Sequence, residues 1–163
     1  MLMTRSLVRT ILVVLSIATL YMSLAPEVSA QATCSLATIA GSWGATLTGT
    51  ILFPAPPGPV PAAAVVRFNV DAMGNVSGTE ARNVGGGFAN ETLKGTVSVN
   101  PNCTGTTTVN FFQSGALVRT SVLAIVFDNL STHVRMVQKS LTLPDSTKVP
   151  VVITLEGEKL TGD

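Results

Sequence analysis

Apolar side chains at every second position constrain this chain more than any other feature of its sequence. Trp43, Ala45, Leu47, Gly49, Ile51 and Phe53 fall on one side of an extended backbone, with Thr46, Thr48 and Thr50 on the other. Leu93, Gly95, Val97 and Val99 alternate with Thr92, Lys94, Thr96, Ser98 and Asn100, and Val149, Val151, Ile153 and Leu155 make a third row. A period of two turns one face of a strand toward a core and the other toward water, so each row requires a partner surface to cover it.

Between such rows, Thr, Val, Ile and Phe recur in short runs broken by Gly, Asn, Asp and Pro. The punctuation divides the chain into eight strands, near 43–53, 63–70, 75–82, 91–100, 104–112, 117–127, 133–139 and 149–160. Asp71-Ala72-Met73-Gly74-Asn75, Asn100-Pro101-Asn102, Gln113-Ser114-Gly115 and Asp128-Asn129-Leu130-Ser131 carry residues that tolerate turn dihedrals. Links this short favour antiparallel neighbours, because a parallel crossover needs about a dozen residues or more. The expected fold is therefore all-β, an eight-stranded antiparallel up-and-down barrel whose closure removes exposed edges. A two-sheet β-sandwich satisfies the same alternation and stays open as the alternative.

Three segments carry finer expectations. Gly85-Gly86-Gly87 lacks the following helix that a phosphate-binding loop needs and reads as a flexible turn. Pro54 to Pro61 should be extended and polyproline-like, a stiff inter-strand loop in preference to a P-x-x-P ligand or a lid. The run Leu117 to Phe127 is nearly all apolar, yet Arg119 stands in phase with Leu117, Leu123, Ile125 and Phe127. An inward guanidinium would need a partner, so Arg119 is expected at the rim, snorkelling outward.

The first 30 residues read as a cleavable signal peptide. Arg5 and Arg9 form a basic start, Leu7 to Leu20 is almost wholly apolar, and Val28-Ser29-Ala30 is a small-residue cleavage site. Pro26 and Glu27 interrupt the apolar run, which is short for a span of about 20 residues, so stable membrane insertion is not expected after cleavage. The expected organisation is a signal peptide over residues 1–30 and one β-barrel domain over 31–163, secreted or periplasmic. Cleavage takes Arg5, Arg9 and Glu27 from ten basic and nine acidic residues and leaves eight of each. Such a balance lacks the basic footprint of a nucleic-acid binder. Cys34 and Cys103 would meet an oxidising compartment and are expected to form one disulfide.

Candidates for chemistry are few. One histidine, His133, lies close in sequence to Ser131 and Asp128, but side chains so near one another rarely satisfy both hydrogen bonds of a triad. One histidine, two cysteines expected to be oxidised and scattered carboxylates show no metal-ligand spacing, and the Asp71 to Asn75 turn misses the register of a calcium loop. The sequons at Asn75, Asn90, Asn102 and Asn129 bear only on a glycosylating host. No catalytic residue, metal or cofactor is expected.

At Gly41-Ser42-Trp43, directly before the first strand, the chain resembles the G-x-W signature of lipocalins and the wider calycin group of eight-stranded barrels. The runs Asn69 to Gly78 and Gly95 to Gly105 look like small secreted bacterial proteins of unknown function that are similar to calycin-type or allene-oxide-cyclase-like barrels. In lipocalins the Trp packs across the closed barrel end against an Arg of the last strand; here the last strand offers Lys159, while Arg119 and Arg135 stand on neighbouring strands. The resemblance implies a calycin-like barrel with room for a central cavity. Three functions follow in order: a non-enzymatic module binding a small apolar ligand near Trp43, Phe68, Arg119 and Phe127; a structural or surface-interaction domain with a filled core; and, distantly, an allene-oxide-cyclase-like isomerase.

Overall fold

The computed structural model describes residues 33–161; the signal peptide expected over residues 1–30 lies outside them. The strands are β1 (Gly41–Leu52), β2 (Pro59–Val70), β3 (Asn75–Val84), β4 (Gly87–Val99), β5 (Thr104–Gln113), β6 (Ala116–Asp128), β7 (His133–Thr142), β8 (Lys148–Val149) and β9 (Val151–Lys159), preceded by one short helix, α1 (Leu36–Ile39). From β1 to β7 each strand pairs antiparallel with the next, and β9 lies between β7 and β1. The sheet thus closes on itself as an eight-stranded antiparallel barrel, and the sandwich alternative falls. β8 and β9 form one stave, parted at Pro150, whose carbonyl still accepts from Leu52 N at 2.8 Å.

The three alternating rows face inward as their period requires: Trp43, Ala45, Ile51, Leu93, Val149, Ile153 and Leu155 are all buried. Charged side chains such as Arg67, Lys94, Lys139 and Glu156 occupy exposed positions on the outer face. Gly95 lets two strands close up where the barrel curves, since a Cβ there would stand 2.1 Å from the Thr108 carbonyl oxygen. The β3–β4 hairpin turns on Gly85 and Gly86, both at positive φ (59° and 91°), which a two-residue loop of matching twist demands.

Two bulges reset the inward phase. Phe111 faces Arg119 and Phe112 faces Leu117, so Val118 is an extra residue on β6. Leu117 consequently turns outward, 40% exposed, contrary to the shared phase with Arg119 that alternation predicts. On β7, Lys139 is the extra residue between Gln138 and Ser140, which carries the inward phase from Gln138 to Leu141.

The Pro-rich segment also departs from expectation. β2 already begins at Pro59, and only Pro54 to Gly58 remain a loop, folded into a turn by Gly58 N donating to Pro54 O at 3.2 Å. Pro59 and Pro61 precede Ala62, the first β2 residue paired with β3, so their missing N–H groups break no rung there.

The end of the barrel where β1 starts is sealed by α1. Ser35 caps that helix in a reciprocal capping box with Thr38. Its last residue, Ile39, and Trp43 are fully buried, and the indole Nε1 donates to Ile39 O at 2.9 Å. Trp43 stacks on Phe68 (centroids 6.2 Å apart) and meets Phe127 at a tilt (5.6 Å), forming a floor across the barrel. Lys159 sits opposite Trp43 on β9 and donates to Thr38 O at 3.1 Å, so a lysine caps the helix where the lipocalin resemblance would place an arginine. The Cys34–Cys103 disulfide ties the segment before α1 to the β4–β5 turn across 69 positions of sequence.

Candidate functional site

Above the aromatic floor, the inward rows do not fill the interior. They enclose a cavity of about 280 Å³ that runs from Val70, Phe127 and Val134 near the sealed end to Phe53, Val84 and Leu143 at the opposite rim. Its wall is mainly apolar, as small-molecule sites are, and its size is close to the lower end of the usual range of roughly 300–1,000 Å³. Phe68, Phe127 and Arg119, three of the four residues expected around a ligand, line it. The fourth, Trp43, supports Phe68 and Phe127 from below and is fully buried by α1.

A charged cluster interrupts the apolar wall. Arg119 does not snorkel outward; its side chain is only 12% exposed and crosses the Phe111 ring, the guanidinium carbon 3.8 Å from the centroid. From β6 it spans β5 to reach both Glu80 on β3 and Glu91 on β4. Arg119 Nη2 donates to Glu80 Oε2 at 2.5 Å, Arg119 Nη1 donates to Glu91 Oε2, and Arg82 Nε donates to Glu91 Oε1 at 2.5 Å. Glu80 and Glu91 face each other directly in the β3–β4 register. Two like charges so placed repel, and the guanidinium of Arg119 that bridges them, with Arg82 on Glu91, makes the pair tolerable. The outward reading of Arg119 failed because it treated the arginine alone, whereas two carboxylates on neighbouring strands satisfy it inside.

Burial pushes the Glu80 carboxyl above the ordinary glutamate value; Arg119 opposes that shift and Glu91 adds to it. A second polar group lies elsewhere on the wall, where Gln138 Nε2 donates to Ser121 Oγ at 2.9 Å and to Ser140 O at 3.1 Å. Glu80, Glu91 and Arg82 were missed in the sequence, although the signal was there. Glu91 extends the row of Leu93, Gly95 and Val97 by one step, and Glu80 and Arg82 continue the phase of Val76 and Gly78. In-phase charges on three strands that sum to zero are the mark of an internal ion network.

The residues nearest a catalytic arrangement in the sequence are not assembled into one. His133 Nδ1 donates to Asp128 Oδ1 at 2.7 Å, and Arg135 Nη2 binds Asp128 Oδ2 at 2.9 Å. Ser131 is buried and donates its hydroxyl to the Cys34 sulfur at 3.2 Å, the disulfide having no hydrogen to give. Among the described residues, no group of three or more His, Cys, Asp or Glu side chains is placed to hold a metal ion. Also among them, no helix is long and apolar enough to cross a membrane.

No protein-family profile matches the chain, and no curated protein matches it in sequence. Among solved structures it is similar to "Structure of EF1p2_mFAP2b bound to DFHBI", with a TM-score of 0.51 and 11% identity over 77% of this chain and 97% of that one. At that identity the likeness is one of fold.

Proposed function

We propose that this protein is a secreted, non-enzymatic β-barrel that holds one small, largely apolar molecule in its interior. The observation that carries the reading is the unfilled space itself: a barrel of eight strands can be packed solid by its own side chains, and this one keeps about 280 Å³ open above a sealed floor. That space weighs against a purely structural, filled domain. The similar barrel is bound to DFHBI, which supports a fold of this kind as a small-molecule receptor. The Cys34–Cys103 disulfide suits an oxidising compartment and so agrees with export behind a signal peptide over residues 1–30. The isomerase alternative draws less support, because each buried carboxylate of the cavity wall is ion-paired with an arginine.

Native mass spectrometry of the protein purified from the compartment to which its own cell exports it tests the proposal. A low-mass adduct released on denaturation is expected, on a polypeptide that begins at Gln31. Repeated recovery of the bare polypeptide would reject the receptor reading, and a mass that includes residues 1–30 would reject the export signal.

A further inference from the structure

The charged cluster leaves specific hydrogen-bonding capacity unused. Both oxygens of Glu91 are taken, one by Arg82 and one by Arg119. Glu80 is different: Oε2 accepts from Arg119, while Oε1 has no hydrogen-bond partner among the described residues. The Glu80 side chain is 1% exposed, and no fully occluded side-chain polar atom among the described residues lacks a partner. The spare oxygen is therefore not wholly occluded, and Glu80 is one of the residues that line the cavity. Arg82, two positions along the same inward face of β3, donates its Nε to Glu91 and also lines the cavity, and among the described residues neither of its Nη groups has a hydrogen-bond partner. One acceptor and a pair of donors thus belong to one inward face of β3, in a mainly apolar wall.

Charge decides what can use them. Glu80, Glu91, Arg82 and Arg119 cancel to zero, so a ligand bringing its own charge would add an uncompensated ion to a poorly solvated interior. A carboxylate would also lie against Glu80 with no proton to offer it, and an amine would lie against two guanidiniums with no acceptor to offer them.

We infer, resting on the reading of the interior as a small-molecule site, that the occupant is an uncharged amphiphile of roughly a dozen non-hydrogen atoms at interior packing density, whose polar end donates to Glu80 Oε1 and accepts from Arg82. A primary carboxamide on an apolar ring system is the simplest such group. The rest of the molecule lies along Val66, Phe68, Leu93 and Leu155.

Isothermal titration of the oxidised protein with naphthalene and four derivatives tests this: naphthalene-2-carboxamide, 2-naphthoate, 2-acetonaphthone and 2-naphthylmethylamine. The carboxamide should bind at least about tenfold more tightly than the carboxylate, the ketone or the amine, the scale of one well-made buried hydrogen bond. Glu80→Gln, which removes the negative charge and supplies a donor, should narrow the gap between carboxamide and carboxylate by about tenfold. Arg82→Met should weaken the carboxamide while leaving naphthalene unchanged, whereas a merely structural loss would weaken both. Binding of naphthalene with no preference for the carboxamide overturns the inference and leaves the receptor reading standing. Failure of every compound, naphthalene included, removes both.

Discussion

At its sealed end the barrel relies on shape and a covalent cross-link, whereas its charged wall relies on pairing among four side chains that water would otherwise solvate. The floor of Trp43, Phe68 and Phe127 is held several ways at once: ring contacts, the indole bond to Ile39 O, the capping box of α1 and the Cys34–Cys103 bridge. Loss of one leaves the others. The wall has less redundancy: among the described residues Glu80 is ion-paired with Arg119 only, which it shares with Glu91, and Arg82 holds only Glu91. The difference separates what builds the container from what gives its interior chemical character.

Trp43→Ala attacks the floor and should have the largest effect, since truncating a fully buried tryptophan costs about 4 kcal/mol through lost contacts and the void left behind. Urea denaturation of the oxidised protein measures it. The variant should keep its β circular dichroism, because the disulfide still ties the end down. A cost under about 1 kcal/mol would show that the floor is packed far more loosely than the ring contacts indicate.

Arg119→Met attacks the wall and should cost about 3 kcal/mol, most of it from leaving Glu80 and Glu91 buried face to face. Adding Glu80→Gln to Arg119→Met should restore part of that loss, because it removes the repulsion that the first change exposes. If Arg119→Met instead costs under about 1 kcal/mol and the second substitution restores nothing, the cluster behaves as an exposed ion pair and the contrast between the two ends disappears.

The same contrast governs what could be read from the sequence. The container was legible: strict alternation in β1, β4 and β9 gave both their burial and their facing, and the turn residues placed all eight staves. Two cysteines in a chain expected to be exported were enough to pair them. The interior was less so. Arg119 could be placed in phase with the core, but its partners lie 28 and 39 positions away, and only the closed register brings them beneath it. The bulges at Val118 and Lys139 were invisible to a period-two reading, since each depends on how two strands meet and not on either strand alone. Pro59 and Pro61 hid the start of β2 because their effect depends on which side of the strand is already paired. Trp43 was correctly placed in the interior but not at its depth, which α1 determines, a helix too short to stand out in the sequence.

The smallest expected effect sharpens the comparison by titration. Burial raises the Glu80 carboxyl above its ordinary value of 4.5, so the folded protein takes up that proton more readily than the unfolded chain does. Ionised Glu80 therefore burdens the fold near neutrality, and its contribution to stability should rise as pH falls through the raised value and level off below 4.5. The exposed turn residues Asp71 and Asp145 act in the opposite sense. Hydrogen bonds within their own turns, from Asn75 and from Thr147, lower both carboxyls, so their stabilisation is present above the ordinary value of 3.8 and is lost as pH falls below it. Because the two aspartates are common to the parent and to Glu80→Gln, subtracting one stability–pH curve from the other isolates Glu80. From about pH 7 down to 4.5 the parent should gain on the variant, by less than either substitution above costs, since Arg119 already offsets part of the burial. A flat difference would mean that the arginines offset the burial of Glu80 in full, and the charged wall would then place no burden on the fold near neutrality.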